Sequence, residues 1–219
     1  MGIQVQGNSG IIADVWGTVF RGLKVHSMPF EFGSNGHYRK SLLSGTMAAG
    51  LAANSEIWQW RWSDATRLGV MIKVILDGLS GSATAFTAGF GKVDLMIARA
   101  FTASGSGGTA GTLTGNNGKV RTSMATTLLG DVRVASTAAL GVGTKTLDTD
   151  PIGQISLSFG VAVSVQYANQ TLLIDNDSAH GQHPLVFAQN EGLAARATVP
   201  ATGTWQFGMT AVWAEVDTF

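Results

Sequence analysis

The chain has 219 residues, 14 acidic and 14 basic side chains, and no cysteine. That length holds one sizeable domain with its own core. A net charge of zero argues against a protein that binds nucleic acid by neutralising phosphates, and the lack of cysteine excludes disulfides, thiolate-bound zinc, iron–sulfur clusters and thiol catalysis.

In chain order, residues 1–14 read as an N-terminal arm and residues 15–219 as a single domain. The first strand candidate is Val15 to Val25, followed by Tyr38 to Leu43 after the turn signal Gly33-Ser34-Asn35-Gly36. Ser44 to Asn54, rich in Ala, Leu and Met, has the composition of a short helix. Strands follow at Ile57 to Trp62 and Leu68 to Leu76, then at Val93 to Phe101, where Arg99 falls on the apolar face. Ala103 to Gly118 is almost wholly Ser, Gly, Thr and Ala and reads as a surface loop. Val120, Met124 and Leu128 stand at helical spacing, so Lys119 to Leu129 is a second helix candidate, with Asn117 as its cap.

Further strands are predicted at Asp131 to Ala135, Ile155 to Val165, Thr171 to Ile174, Leu185 to Ala188 and Leu193 to Val199. The clearest period-two pattern closes the chain. From Thr204 to Val216, Trp205, Phe207, Met209, Ala211 and Trp213 share one face of a strand. Many short strands between glycine turns, with no repeat of 20 to 50 residues, spell an all-β antiparallel sandwich or barrel.

The charged fraction is 13%, about half of the roughly 25% usual for a globular domain, while 29 Gly, 22 Thr and 17 Ser supply a small, neutral exterior. Such a chain either enters a membrane or covers itself against other subunits. The longest apolar run, Leu68 to Leu79, is broken by Lys73 and Asp77 and is too short to span a bilayer as a helix. Met1 to Asn8 has neither the basic patch nor the apolar run of a signal peptide. The expectation is an assembled protein made in the cytoplasm, with no membrane partner and no nucleic-acid partner.

Catalytic signatures are weak. No Gly-x-Ser-x-Gly elbow or P-loop occurs, and the carboxylates are scattered. The richest set of metal-capable side chains is Asp175, Asp177, His180 and His183, but it lacks the bidentate Glu of a calcium loop and the helical Glu of a zincin. It reads as a solvated loop, and no metal, cofactor or catalytic residue is assigned. Trp58, Trp60 and Trp62 alternate along one strand face, with Gln59 and Arg61 opposite. Rings in that pattern form a core, the buried centre of a subunit interface, or a sugar-stacking platform. With Trp205 and Trp213 they are the candidate interface residues. In the turn Ser63-Asp64-Ala65-Thr66, Asp64 is placed to pair with Arg61 or Arg67.

The run from Ile57 to Thr66, the segment His183 to Gly192, and Pro200 to Trp205 with its continuation Trp213-Ala214-Glu215 resemble recurring segments in virion structural proteins of tailed bacteriophages. The resemblance spans Ser41 to the C-terminus and is least distinctive over Ala103 to Pro151. It implies a jelly-roll-like β-sandwich and assembly on the virion, and it carries over no functional site. The resulting expectation is a non-enzymatic capsid decoration (cement) protein at the capsid surface. It would be homotrimeric and bridge neighbouring copies of the major capsid protein. The alternative is a tail or head-fibre component that binds host surface glycans.

Overall fold

A computed structural model describes residues 15–16, 22–23, 35–48, 51, 53–175 and 183–219. The arm expected at 1–14 lies outside the described residues. Fifteen strands follow in order: β1 (Val15–Trp16), β2 (Gly22–Leu23), β3 (Gly36–Leu43), β4 (Ser55–Trp62), β5 (Leu68–Gly81), β6 (Gly89–Ala103), β7 (Thr109–Ala110), β8 (Leu129–Val134), β9 (Thr144–Leu147), β10 (Gly153–Phe159), β11 (Gln166–Ala168), β12 (Thr171–Asp175), β13 (Leu185–Phe187), β14 (Glu191–Thr198) and β15 (Trp205–Val216). No helix occurs among the described residues.

Two antiparallel sheets pack face to face. One has the order β10-β6-β14-β4-β8-β7, with β9 also on β6. The other has the order β11-β5-β15-β3, with β12 and β13 continuing along the same side of β5. From β3 to β6 successive strands alternate between sheets, as they do from β13 to β15. Taking β3, β4, β5, β6, β10, β11–β13, β14 and β15 as eight units, the strand order is that of a double-sheet jelly roll. The sandwich alternative is therefore the one the chain adopts, and β7, β8 and β9 are an insertion that widens one sheet. The pair β1–β2 stands as a separate ribbon, so the strand expected over 15–25 is two short antiparallel strands.

Alternation explains the core. The inner face of β15 carries Trp205, Phe207, Met209, Ala211 and Trp213, and that of β4 carries Trp58, Trp60 and Trp62; all are buried. On β5, Ile72 and Asp77 are extra residues opposite register shifts in β15. These bulges keep Met71, Val74, Leu76 and Leu79 all pointing inward along a fourteen-residue strand. Gly69 lies under the rings: a Cβ there would stand 2.9 Å from both Trp60 Cη2 and Trp62 Cε3.

Neither expected helix occurs among the described residues. In the 44–54 stretch the described residues are irregular, and Met47 forms a bridge to Trp205, its N–H donating to the Trp205 carbonyl at 2.7 Å. Residues 119–128 run as turns and extended chain along β3. Val120 N–H donates to the His37 carbonyl, Tyr38 Oη donates to the Ala125 carbonyl at 2.9 Å, and Leu128 N–H donates to the Glu215 carboxylate. Partners on distant strands satisfy this backbone, and a single short helix would not have held on its own.

Candidate assembly surface

The five candidate tryptophans are brought together, but inside the chain. Each has no exposed surface. Trp60 stacks on Trp62 at 6.0 Å between ring centroids and meets Phe187 at 5.2 Å and the edge of Trp213 at 6.1 Å. Trp62 Nε1 donates to the Arg67 carbonyl at 2.9 Å, and Trp213 Nε1 donates to Glu215 at 3.1 Å. Trp58, Trp60 and Trp205 have indole N–H groups with no hydrogen-bond partner among the described residues. These side chains are the core of the sandwich and offer no surface to a partner. The physical reason is parity: the face of β4 bearing the rings is the face turned toward β15 and β5.

Asp64 pins its turn through the backbone rather than through a guanidinium. Its Oδ1 accepts from Thr66 N–H, Thr66 Oγ1 and Arg67 N–H. The Thr66 backbone bond is the chief reason its carboxyl stays below the ordinary value. The Arg67 side chain instead pairs with Asp217 at 3.0 Å, and Arg61 donates to Ser104 Oγ and the Thr102 carbonyl. Arg99 is paired with Asp148 and Glu191. Just beyond it, Ala100 takes a left-handed φ of 47°, and Phe101 turns back into a buried position.

Of the metal-capable cluster, Asp175 forms an ion pair with Lys73 at 3.1 Å, and His183 Nδ1 lies 2.7 Å from the Pro184 carbonyl. Asp177 and His180 lie outside the described residues. Among the described residues no group of three or more His, Asp or Glu side chains could hold a metal ion.

Exposed apolar side chains occur at several places on the sandwich, and three of them, Phe90, Val161 and Val163, lie where β10 passes toward β11. The strand expected over 155–165 ends at Phe159, and residues 160–165 cross from β10 to β11 as an ordered rim. Tyr167 Oη donates to the Gly160 and Ala162 carbonyls, and Gly81 N–H donates to the Val165 carbonyl. Beneath it Phe86, Phe159 and Tyr167 pack mutually, with centroids 4.4 to 5.5 Å apart. The rim therefore holds its shape while Val161 is 75% and Val163 53% exposed. Phe90, paired across the ladder with Ser158, is 88% exposed. Sequence reading missed these residues because Phe159, Val161 and Val163 continue the alternation of β10. The break at Gly160 was the available signal.

Two polar features lie on the outer faces of the sheets, one buried and one open. The outer face of β4 carries Glu56, paired at 2.9 Å with Lys145 of β9; their side chains are 8% and 1% exposed. The Lys145 ammonium also donates to the Val142 carbonyl and stands 4.7 Å over the Phe101 ring. Burial is the main cause that raises the Glu56 carboxyl above its ordinary value. On the outer face of the other sheet, Gly78 and Gly208 sit opposite each other and floor a hollow of about 250 Å³. Its walls are Leu43, Asp77, Ser80, Gln166 and Gln206.

Comparison with known protein families, with curated proteins and with solved structures finds no match to this chain.

Proposed function

We propose that the protein is a non-enzymatic structural component of a tailed-bacteriophage virion. In this reading it is a capsid decoration protein that sits on the capsid surface as a homotrimer and bridges neighbouring major capsid subunits. The observation that carries the reading is the ordered apolar rim of Phe90, Val161 and Val163 on a chain with no net charge. Burying one large apolar side chain is worth roughly 1.5–3 kcal/mol, so a rim repeated around a trimer gives strong adhesion. A neutral contact surface avoids the cost of stripping water from ions and is little weakened by salt. The jelly-roll strand order adds support by analogy, since viral capsid domains use it repeatedly.

The test is add-back to particles assembled without this chain. Wild-type protein should fill the shell to a fixed stoichiometry. Phe90→Asp combined with Val161→Asp should lose occupancy while keeping the same thermal midpoint. Full occupancy by that variant would remove the rim from the account.

The glycan-binding alternative is favoured by the hollow over Gly78 and Gly208, where two amides, a hydroxyl and a carboxylate could meet sugar hydroxyls. Against it, none of the five buried tryptophans is available to stack on a sugar ring. Saturable binding of a host-surface polysaccharide, lost in Gln206→Ala, would favour this second reading.

A further inference from the structure

The edge of the second sheet differs from the rest of the surface in two independent ways. First, part of it has no strand paired to it among the described residues. Arg39 N–H donates outward to the Gly118 carbonyl, and the His37 carbonyl accepts outward from Val120. Ser44 N–H, by contrast, donates inward to the Phe207 carbonyl of the β15 side. Odd-numbered residues of β3 therefore turn their backbone groups away from β15. Beyond Arg39 the covering segment turns at 115–118, and its earlier part, Gly111, lies beside the Lys40 and Leu42 side chains without pairing with the backbone of β3. The N–H and C=O groups of Ser41 and Leu43 then face outward with no partner among the described residues. Both side chains are exposed, Leu43 to 69%. An open strand edge is a template for another strand.

Second, the edge is basic on an otherwise balanced molecule. Among the described residues Arg67, Lys73, Lys92, Arg99, Arg133 and Lys145 all have carboxylate partners. Arg39, Lys40, Lys119 and Arg121 have none there. Arg61 and Arg196 of the other sheet also lack one, but they are scattered there, Arg61 held by Ser104 Oγ and the Thr102 carbonyl and Arg196 lying against Met96 Sδ. The Tyr38–Lys119 bridge places all four along the same few residues of edge. Asp77, on β5, accepts from Thr210 Oγ1 at 2.6 Å, and Thr210 Oγ1 is in turn 2.5 Å from Ser41 Oγ, so this one carboxylate is already engaged by hydroxyls. Lysines and arginines on an edge repel a second copy of the same edge and attract an acidic one.

We propose that the Lys40–Leu43 edge of β3 takes an extended, acidic segment of another polypeptide as an added strand. Ser41 and Leu43 supply main-chain hydrogen bonds, and Arg39, Lys40, Lys119 and Arg121 supply the charge complement. Alternate residues of the incoming strand face the same side as Leu43, so an apolar residue among the acidic ones finds a contact there. This inference is independent of the virion reading and stands or falls on the edge itself.

The test uses the full chain and a fluorescein-labelled dodecapeptide alternating Glu with Thr and Val, with a Lys-for-Glu version as comparison. The Glu peptide should bind saturably, weaken with added salt, and slow amide exchange at Ser41 and Leu43. Ser41→Pro removes an outward N–H and, besides that, only the Ser41 Oγ contact with Thr210 Oγ1, and should weaken binding by about tenfold. Arg39→Glu with Lys119→Glu, which leaves that ladder intact, should weaken it by a similar factor and serves alone if the proline variant fails to fold. Equal binding of the Glu and Lys peptides would overturn the proposal, as would undiminished binding to the variants. So would protection of Ser41 and Leu43 that rises with protein concentration in the absence of peptide, which would assign the edge to a second copy. Duplex DNA binding lost in Arg39→Glu, with no peptide binding, would overturn it in favour of a nucleic-acid site.

Discussion

Replacing Trp60 and Trp62 one at a time by phenylalanine separates ring packing from hydrogen bonding in the core. The two rings stack on each other and both are fully buried, so truncation removes similar volume and leaves similar cavities. Their indole nitrogens differ. Trp62→Phe breaks the 2.9 Å bond to the Arg67 carbonyl and leaves that oxygen without its donor. Trp60→Phe breaks no hydrogen bond and removes a buried N–H that has no partner among the described residues. An unpaired buried polar group costs about 1–3 kcal/mol, so Trp62→Phe should be the more destabilising of the pair by about that amount. Trp60→Ala, which loses the whole ring and its contacts with Phe187 and Trp213, should cost about 3–5 kcal/mol. Urea unfolding with unchanged slopes reads all three values. If Trp60→Phe costs as much as Trp62→Phe, the hydrogen-bond assignment is wrong. If Trp60→Ala leaves the midpoint unmoved and instead lowers self-association, the tryptophans belong to an interface.

Gly69→Ala should cost about 1–3 kcal/mol by driving a methyl into the Trp60 and Trp62 rings, and Trp62→Phe in the same chain should recover part of that loss in thermal unfolding. Lys145→Met should cost about 3–5 kcal/mol, because it strands the Glu56 carboxylate, whereas Lys145→Met with Glu56→Leu should return close to the wild-type midpoint. Glu56 and Glu215 both hold their protons above the ordinary glutamate value of 4.5, chiefly through burial. The folded state therefore binds more protons than the unfolded chain in the interval above that value. Their contribution is fully present below it and is lost as the pH rises through the folded values. A series of thermal midpoints should fall across that interval and flatten in Glu56→Gln. Asp64, whose carboxyl is held low, acts with the opposite sign and at lower pH, below 3.8.

How much of this was legible in the sequence depended on where each residue's partner lies. Trp205 to Trp213 and Trp58 to Trp62 announce their faces because a strand with one buried side must alternate, whatever it pairs with. Lys119 to Leu129 misled because Val120, Met124 and Leu128 match a helical period, while the partners that fix them, His37, Tyr38 and Glu215, are remote in sequence. The Ser/Gly/Thr stretch read as a loop holds β7, and glycines 105 and 108 within it are packed against backbone; a Cβ at Gly105 would collide with the Gly141 carbonyl. Composition reports polarity and not such close approach. The rim of Val161 and Val163 was hidden for a related reason: alternation marks an intended strand face but not where the ladder stops. The edge cations were visible as residues and invisible as a group, since Arg39 and Lys119 meet only across a bridge eighty residues apart.

The most direct measurement is a cryo-electron-microscopy map of the intact particle at a resolution that places side chains. The account predicts this jelly roll in trimers on the outer capsid surface, with Phe90, Val161 and Val163 buried against neighbouring subunits. A particle that lacks the chain, or carries it with that rim facing solvent, would contradict it.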